Sequence, residues 1–260
     1  SPAVTVGDGP AGDRPLRLAD DALYLERHFA DQESVRRALL ARLGSAPSTG
    51  EPVGQDAAVE LALTSPVTVI AGGPGVGKTY TIRRIIDRLR AEHPDALVAL
   101  AAPTGKAAAR MTESLGDGSL TALTLHALLG KRPGSMTRFR HHADNPLPHD
   151  VVVVDEMSMV SMVMMSRLLE ALKPSARLVM VGDPDQLSSV DAGSVLADIT
   201  RAPAAAGIVA RLVRNYRFTG AIADLATAIR TGDADAALAV LAGPDPSVRL
   251  AGVAEGATAL

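Results

Sequence analysis

The run VTVIAGGPGVGKTYTIRRIIDRL, residues 67–89, constrains the fold more than any other stretch of this chain. Five apolar or β-favouring residues lead into a glycine-rich bend, and a helical repeat of isoleucines and arginines follows at once. The bend reads Gly72-x-x-x-x-Gly77-Lys78-Thr79. Glycines let a backbone curl so that its N–H groups face a phosphate chain at a helix N-terminus. Gly72, Gly73, Pro74, Gly75, Val76 and Gly77 would form that cradle. Lys78 would reach the β/γ-phosphates, and the Thr79 hydroxyl would ligate Mg²⁺. A chance glycine turn would not be expected to carry both the strand before it and the helix after it. The expectation is a nucleotide site that takes ATP with Mg²⁺.

From Gln55 onward helix and strand patterns alternate. Strands are predicted at Val67–Ala71, Leu97–Ala102, Val151–Asp155 and Arg177–Gly182, with a fifth near Ile208–Leu212. Helices are predicted at Lys78–Arg90, Gly105–Leu115, Leu123–Leu129, Met162–Leu172 and Ala221–Arg230. Near-continuous apolar strands separated by helices indicate an α/β fold, a P-loop NTPase whose parallel sheet carries helices on both faces. Before it lies a small N-terminal helical segment. Residues 1–14 read as a disordered or cut edge, and 15–43 as a hairpin and a helix starting after Asp31 with Val35, Leu39, Leu40 and Leu43 on one side. Residues 44–54 read as a Gly/Pro/Ser linker. The expected division is 1–48, a remnant of an N-terminal domain plus linker, and 49–260, one α/β domain. The last stretch, GPDPSVRLAGVAEGATAL, carries no terminating signal, so the chain reads as part of a longer protein.

In a parallel sheet, ligands collect beyond the carboxyl ends of the strands. The strand VVVV ends in Asp155-Glu156, which brings both carboxylates to the phosphates. Asp155 would hold Mg²⁺ and Glu156 would orient and activate an attacking water. RLVMVGDPDQL ends at the same edge, and Gln186 there is assigned to sense the γ-phosphate; a plain polar loop is the alternative. Pro103, Thr104, Gly105 and Lys106 follow another strand and open a helix, a second corner suited to a phosphate backbone. A solvated Lys at a helix start explains Lys106 equally well. His126 sits among apolar residues, where a packed boundary role is usual, and Arg217 in NYRF is either a charge-stabilising arginine or an ordinary surface one. The methionines of DEMSMVSMVMM are expected to pack: Met162 and Met165 with Leu169 on the sheet, Met157 and Met159 wedged in the turn.

Composition narrows the partners. The absence of cysteine removes disulfides and thiolate metal sites. A net charge of -3 requires any DNA contact to be a local groove rather than a basic face. Three Tyr, three Phe and no Trp leave few base-stacking platforms. The apolar runs are too short to span a bilayer and the first residues lack the features of a signal peptide, so the expectation is a cytoplasmic protein without membrane association. A small-molecule kinase would leave Asp155-Glu156 and GDPDQL without a task; a nucleotide-dependent regulatory module without motor activity remains an alternative.

Taken in order, GGPGVGKT, LAAPTGKAAARMTESL, TLHALLG, RHHADNPLPHDVVVVDEMSM, VGDPDQLSSVDAGSVLADI and NYRF resemble the superfamily 1 helicases, specifically the RecD family of subunits in bacterial RecBCD (exodeoxyribonuclease V). The resemblance covers roughly Gln55–Leu241 and implies that 49–260 is the first RecA-like motor domain. It implies ATP-driven 5′–3′ movement on single-stranded DNA within a complex with RecB-like and RecC-like subunits, in the repair of double-strand breaks by recombination. A stand-alone RecD-like helicase is the alternative within the family. The resemblance further implies that Gln55 contacts adenine, that Pro103, Thr104, Lys106, Thr124 and His126 line the DNA path, and that Arg217 belongs to the fourth motif. The second RecA-like domain of such motors is absent from these 260 residues, so the chain alone is expected to bind nucleotide weakly and not to unwind DNA.

Overall fold

A six-stranded, all-parallel sheet organises the chain in the computed structural model, which describes residues 4–6, 14–19, 21–43, 52–116, 118, 120–131, 134, 138–186, 195–214, 216 and 220–250. Its strands are β4 (Val67–Ala71), β5 (Val98–Ala102), β6 (Leu123–Thr124), β7 (Val151–Val154), β8 (Arg177–Gly182) and β9 (Val209–Arg211), in the order β6-β5-β7-β8-β4-β9. A preceding sheet joins β1 (Val4–Val6), β2 (Leu16–Ala19) and β3 (Ala22–Leu25). Strand β1 runs parallel to β2, and β2 antiparallel to β3. Thus Val4–Val6, read from sequence as part of a disordered or cut edge, form a strand.

Helices α1 (Glu26–Leu43), α2 (Gln55–Thr64), α3 (Lys78–Glu92), α4 (Gly105–Leu115), α5 (Leu125–Leu129), α6 (Met162–Ala171) and α7 (Val195–Arg201) accompany the large sheet. One core joins α1, α5, α6 and α7 to the alternating strand residues Val67, Val69, Val152, Val154, Leu178 and Met180. Side chains alternate across a strand, so the intervening Ile70, Leu100, Val153 and Val181 are buried on the other face. Helix α3 supplies a buried stripe there of Ile82, Ile85, Ile86 and Leu89. Each fully buried valine or isoleucine contributes about 1.5–3 kcal/mol. That makes β7, buried along its whole length, a rigid carrier for whatever follows it.

Contacts divide the chain into two compact units: residues 1–73 with 78–213, and 74–77 with 214–260. In the first, α1 belongs to the core through Val35 and Leu39, and its Arg42 donates to the carbonyls of Leu172 and Lys173 just past α6. The helix begins at Glu26 rather than after Asp31, and Leu40 is exposed. Its start is held by a buried bidentate pair, Arg17 to Glu26 at 2.9 and 2.6 Å. In the second unit, α8 (Ala221–Thr231) ends at Gly232 in the left-handed region, and α9 (Ala234–Leu241) starts under an Asp233 cap that accepts from the Ala236 N–H.

Two further sequence expectations change. Leu123 and Thr124, expected in a helix, pair with Ala101 and Ala102 as strand β6, and the helix starts two residues later than expected, at Leu125, with Thr124 as its cap. A β-branched Thr whose hydroxyl accepts from the Ala127 N–H favours that extended cap over a helical turn. Met157, Met165 and Leu169 are buried, but Met159 is 46% exposed: the 3-10 turn Met157–Met159 buries its first two side chains and turns the last one out.

Candidate nucleotide site

Every strand of the large sheet is parallel, so the residues that follow them meet at one edge. Strands β7, β8 and β4 are neighbours, which sets Asp155-Glu156, Gly182–Gln186 and Gly72-Gly73 side by side. The Gly72 N–H donates to the Gly182 carbonyl at 3.1 Å, tying the start of the glycine loop to the end of β8. Lys78, at the first position of α3, donates to the carbonyls of Gly72 at 2.7 Å and Gly73 at 3.0 Å. Its ammonium is therefore held at the loop rather than extended into solvent. Thr79 follows it, half-buried.

The loop's tip, taken by itself, has the backbone its sequence foretold. Gly75 and Gly77 lie at φ +81° and +85°, which residues with a Cβ rarely adopt. The Tyr216 N–H donates to the Gly75 carbonyl at 2.8 Å.

Asp155 leaves β7 where burial pushes its carboxyl above the usual carboxylate range, and the adjacent Glu156 charge adds to this. The Glu156 N–H, donating to Asp155 Oδ1 at 2.8 Å, and the Lys78 ammonium oppose the shift. Glu156 sits at φ +55°, a left-handed conformation that costs a non-glycine residue roughly 1–2 kcal/mol. The turn that follows is locked by the Met159 N–H on the Glu156 carbonyl and the Val160 N–H on the Met157 carbonyl.

Gly182 is where this turn meets β8. A Cβ there would come within 2.7 Å of Leu196 Cδ2, 3.1 Å of the Met157 N and 3.3 Å of the Ser158 N. Gly182→Ala is expected to lower stability by about 1–3 kcal/mol, read as a lower melting temperature. A melting temperature equal to wild type would show that the turn is free to move.

Beyond β8, Asp183 accepts from the Asp185 N–H at 3.1 Å, and the exposed Gln186 accepts through Oε1 from the Ser158 hydroxyl at 3.1 Å. Gln55 opens α2 directly after Val53 and Gly54, which join the β9 edge through Arg211. Arg211 pairs with Ala71 in turn, so Gln55 stands one strand from the loop's entry. Arg217 lies outside the described residues.

A second cluster lies on the far side of β7. Thr104 caps α4, its hydroxyl accepting from the Ala107 N–H at 3.2 Å, and Thr124 caps α5 on the neighbouring strand. Lys106 is exposed and Pro103 half-buried. His126 is exposed, with its ring edge-on to buried Phe139 at 5.8 Å, so it is not the packed boundary residue its apolar neighbours suggested.

Sequence reasoning missed Ser158 and Gly182. Neither carries charge or an obvious task, and only the closeness of the turn to β8 brings them to the site. Oxygen donors from one carboxylate and one hydroxyl, Asp155 and Thr79, suit a hard cation such as Mg²⁺ that keeps part of its water shell. Among the described residues no cluster of three or more His, Cys, Asp or Glu could hold a metal alone, so such an ion would share its ligands with nucleotide phosphates.

A covered parallel sheet with a glycine loop after β4 and paired carboxylates after β7 defines a nucleotide-binding α/β protein of the P-loop class. Residues 55–192 match the AAA domain family, and the chain belongs to that family. It is 49% identical over 255 residues to the RecBCD enzyme subunit RecD of Mycolicibacterium smegmatis, covering 87% of this chain and 46% of that protein. It is also 45% identical over 136 residues to the ATP-dependent RecD2 DNA helicase of Deinococcus radiodurans, covering 52% and 18%. The resemblance to RecD read from the motifs is thereby borne out. The chain spans about half the length of the first RecD relatives it matches. Among solved structures, the Pif1 helicase from Candida albicans aligns with a TM-score of 0.48 at 23% identity, covering 71% of this chain and 45% of that one. Among the described residues no helix is long and apolar enough to cross a membrane.

Proposed function

We propose that these residues form the first of two RecA-like motor domains of a RecD-type, ATP-dependent 5′–3′ DNA helicase, preceded in 1–48 by the remnant of an N-terminal domain. The observation that carries this reading is the gathering of Gly72-Gly73, Lys78, Asp155-Glu156 and Gln186 at the carboxyl edge of three adjacent strands. The likeness to RecD over 87% of the chain favours a subunit that works with RecB-like and RecC-like partners on single-stranded DNA over a stand-alone helicase.

In this reading the loop from Gly72 to Thr79 binds the phosphates of ATP, and Gln55 meets the adenine. Lys78 exchanges its carbonyl partners for phosphate oxygens. Asp155 and Thr79 would hold Mg²⁺, which offsets charge on the β- and γ-phosphates when bound. Glu156 accepts a proton from the attacking water, Gln186 donates to the γ-phosphate, and Arg217 adds positive charge there.

The DNA would run over Pro103, Thr104, Lys106, Thr124 and His126. Lys106→Ala in the full-length protein tests this path. It is expected to weaken single-stranded DNA binding similarly for all sequences and to reduce the slope of log affinity against log salt by about 0.7. A full-length protein with no affinity for single-stranded DNA would overturn the functional reading. An unchanged slope would remove only Lys106.

A further inference from the structure

We propose that Ser158 is a positioning residue that sets the amide of Gln186 for the γ-phosphate and links it to Glu156. The inference rests on the hydrolytic reading above and adds a residue to it.

Three observations converge. Ser158 is 4% exposed and lies two residues after Glu156, in a turn closed by two backbone hydrogen bonds. That turn rests against Gly182, where even one methyl group would crowd the Ser158 and Met157 nitrogens. The Ser158 hydroxyl donates to Gln186 Oε1 at 3.1 Å, whereas Gln186 itself is exposed. A buried, fixed hydroxyl thus orients an exposed side chain that nothing else described would hold to one face of its amide.

Orientation matters because the two ends of a carboxamide are opposites: the oxygen only accepts and the NH₂ only donates. A phosphate oxygen accepts. With Oε1 engaged by Ser158, the NH₂ is the end left to donate. Freed from the hydroxyl, the amide can turn its oxygen towards the phosphate, where it repels. Glu156 and Ser158 share one short rigid turn, so a shift of Gln186 on meeting the γ-phosphate is passed to the residue that activates water.

The test is a double-mutant cycle on ATP hydrolysis by the full-length protein with single-stranded DNA, using Ser158→Ala, Gln186→Ala and the pair. Ser158→Ala is expected to lower kcat about fivefold, the loss of one hydrogen bond, with KM for ATP unchanged. In the Gln186→Ala background it is expected to cost nothing further, because the group it positions is gone. A purely structural serine would lower the melting temperature and slow both backgrounds equally. Losses that multiply, or a loss confined to KM, overturn the positioning role. If Gln186→Ala itself slows wild-type hydrolysis, the functional reading stands whichever way the cycle falls; if it does not, the assignment of Gln186 fails and Ser158 with it.

Discussion

Glu156→Gln in the full-length protein is expected to bind ATP and Mg²⁺ as wild type does and to hydrolyse ATP at least about a hundredfold more slowly. The amide keeps the shape of the side chain but cannot accept the proton of the attacking water. The turn should survive, since the Met159 N–H bonds the backbone carbonyl of residue 156 and not its side chain. Asp155 loses the neighbouring negative charge that adds to the upward shift of its carboxyl, so metal binding should not suffer. Equilibrium binding of a fluorescent ATP analogue, measured beside steady-state hydrolysis, separates the two effects. Equal hydrolysis by wild type and variant would remove Glu156 from the chemistry.

Asp155→Asn is expected to move stability and activity in opposite directions. Burial raises the Asp155 carboxyl above its ordinary range, so the folded chain holds its proton more tightly than the unfolded chain does. For an acid shifted this way, the stability of the protonated form is fully present below the unfolded value. It is lost as pH rises towards the raised folded value. At neutral pH the ionised group therefore weighs against the fold in the absence of a cation, and the neutral amide removes that cost. The variant should melt above wild type at pH 7, with the gap closing as pH falls through the carboxylate range. Added Mg²⁺ with nucleotide should raise the wild-type melting temperature more than the variant's. Hydrolysis should drop at least about a hundredfold, because the carboxylate that would hold the ion is gone. A variant that melts below wild type at pH 7 would mean that Asp155 is held by a favourable interaction rather than strained by burial.

The parts of the fold that were legible from sequence share a physical cause. Strands β4 and β8 begin and end where expected because each is a short apolar run closed by a glycine, Gly72 just past β4 and Gly182 at the last position of β8. Helix α4 was bounded correctly by a Thr cap at one end and Gly116 in the left-handed region at the other. Where patterns were short or tertiary packing decided, sequence reading failed. Two residues of β6 are too few to show a period, and β1 exists because Leu16–Leu18 offer it a partner. Leu40 looked like core by spacing, yet Leu39 and Val35 face the sheet unit and leave it exposed.

The site was legible because P-loop chemistry places distinctive residues at strand ends, and parallel strands bring those ends together. What remained hidden was the wiring between them: the Gly182 contact, the Ser158–Gln186 hydrogen bond and the left-handed Glu156. These depend on two loops meeting that lie far apart in the chain.

The most direct test of the central claim is the rate of ATP hydrolysis by the full-length protein with and without a single-stranded oligonucleotide. The account predicts that DNA raises the rate several-fold, since the nucleotide residues and the proposed DNA path follow adjacent strands of one sheet. A rate indifferent to DNA at saturating ATP would contradict it.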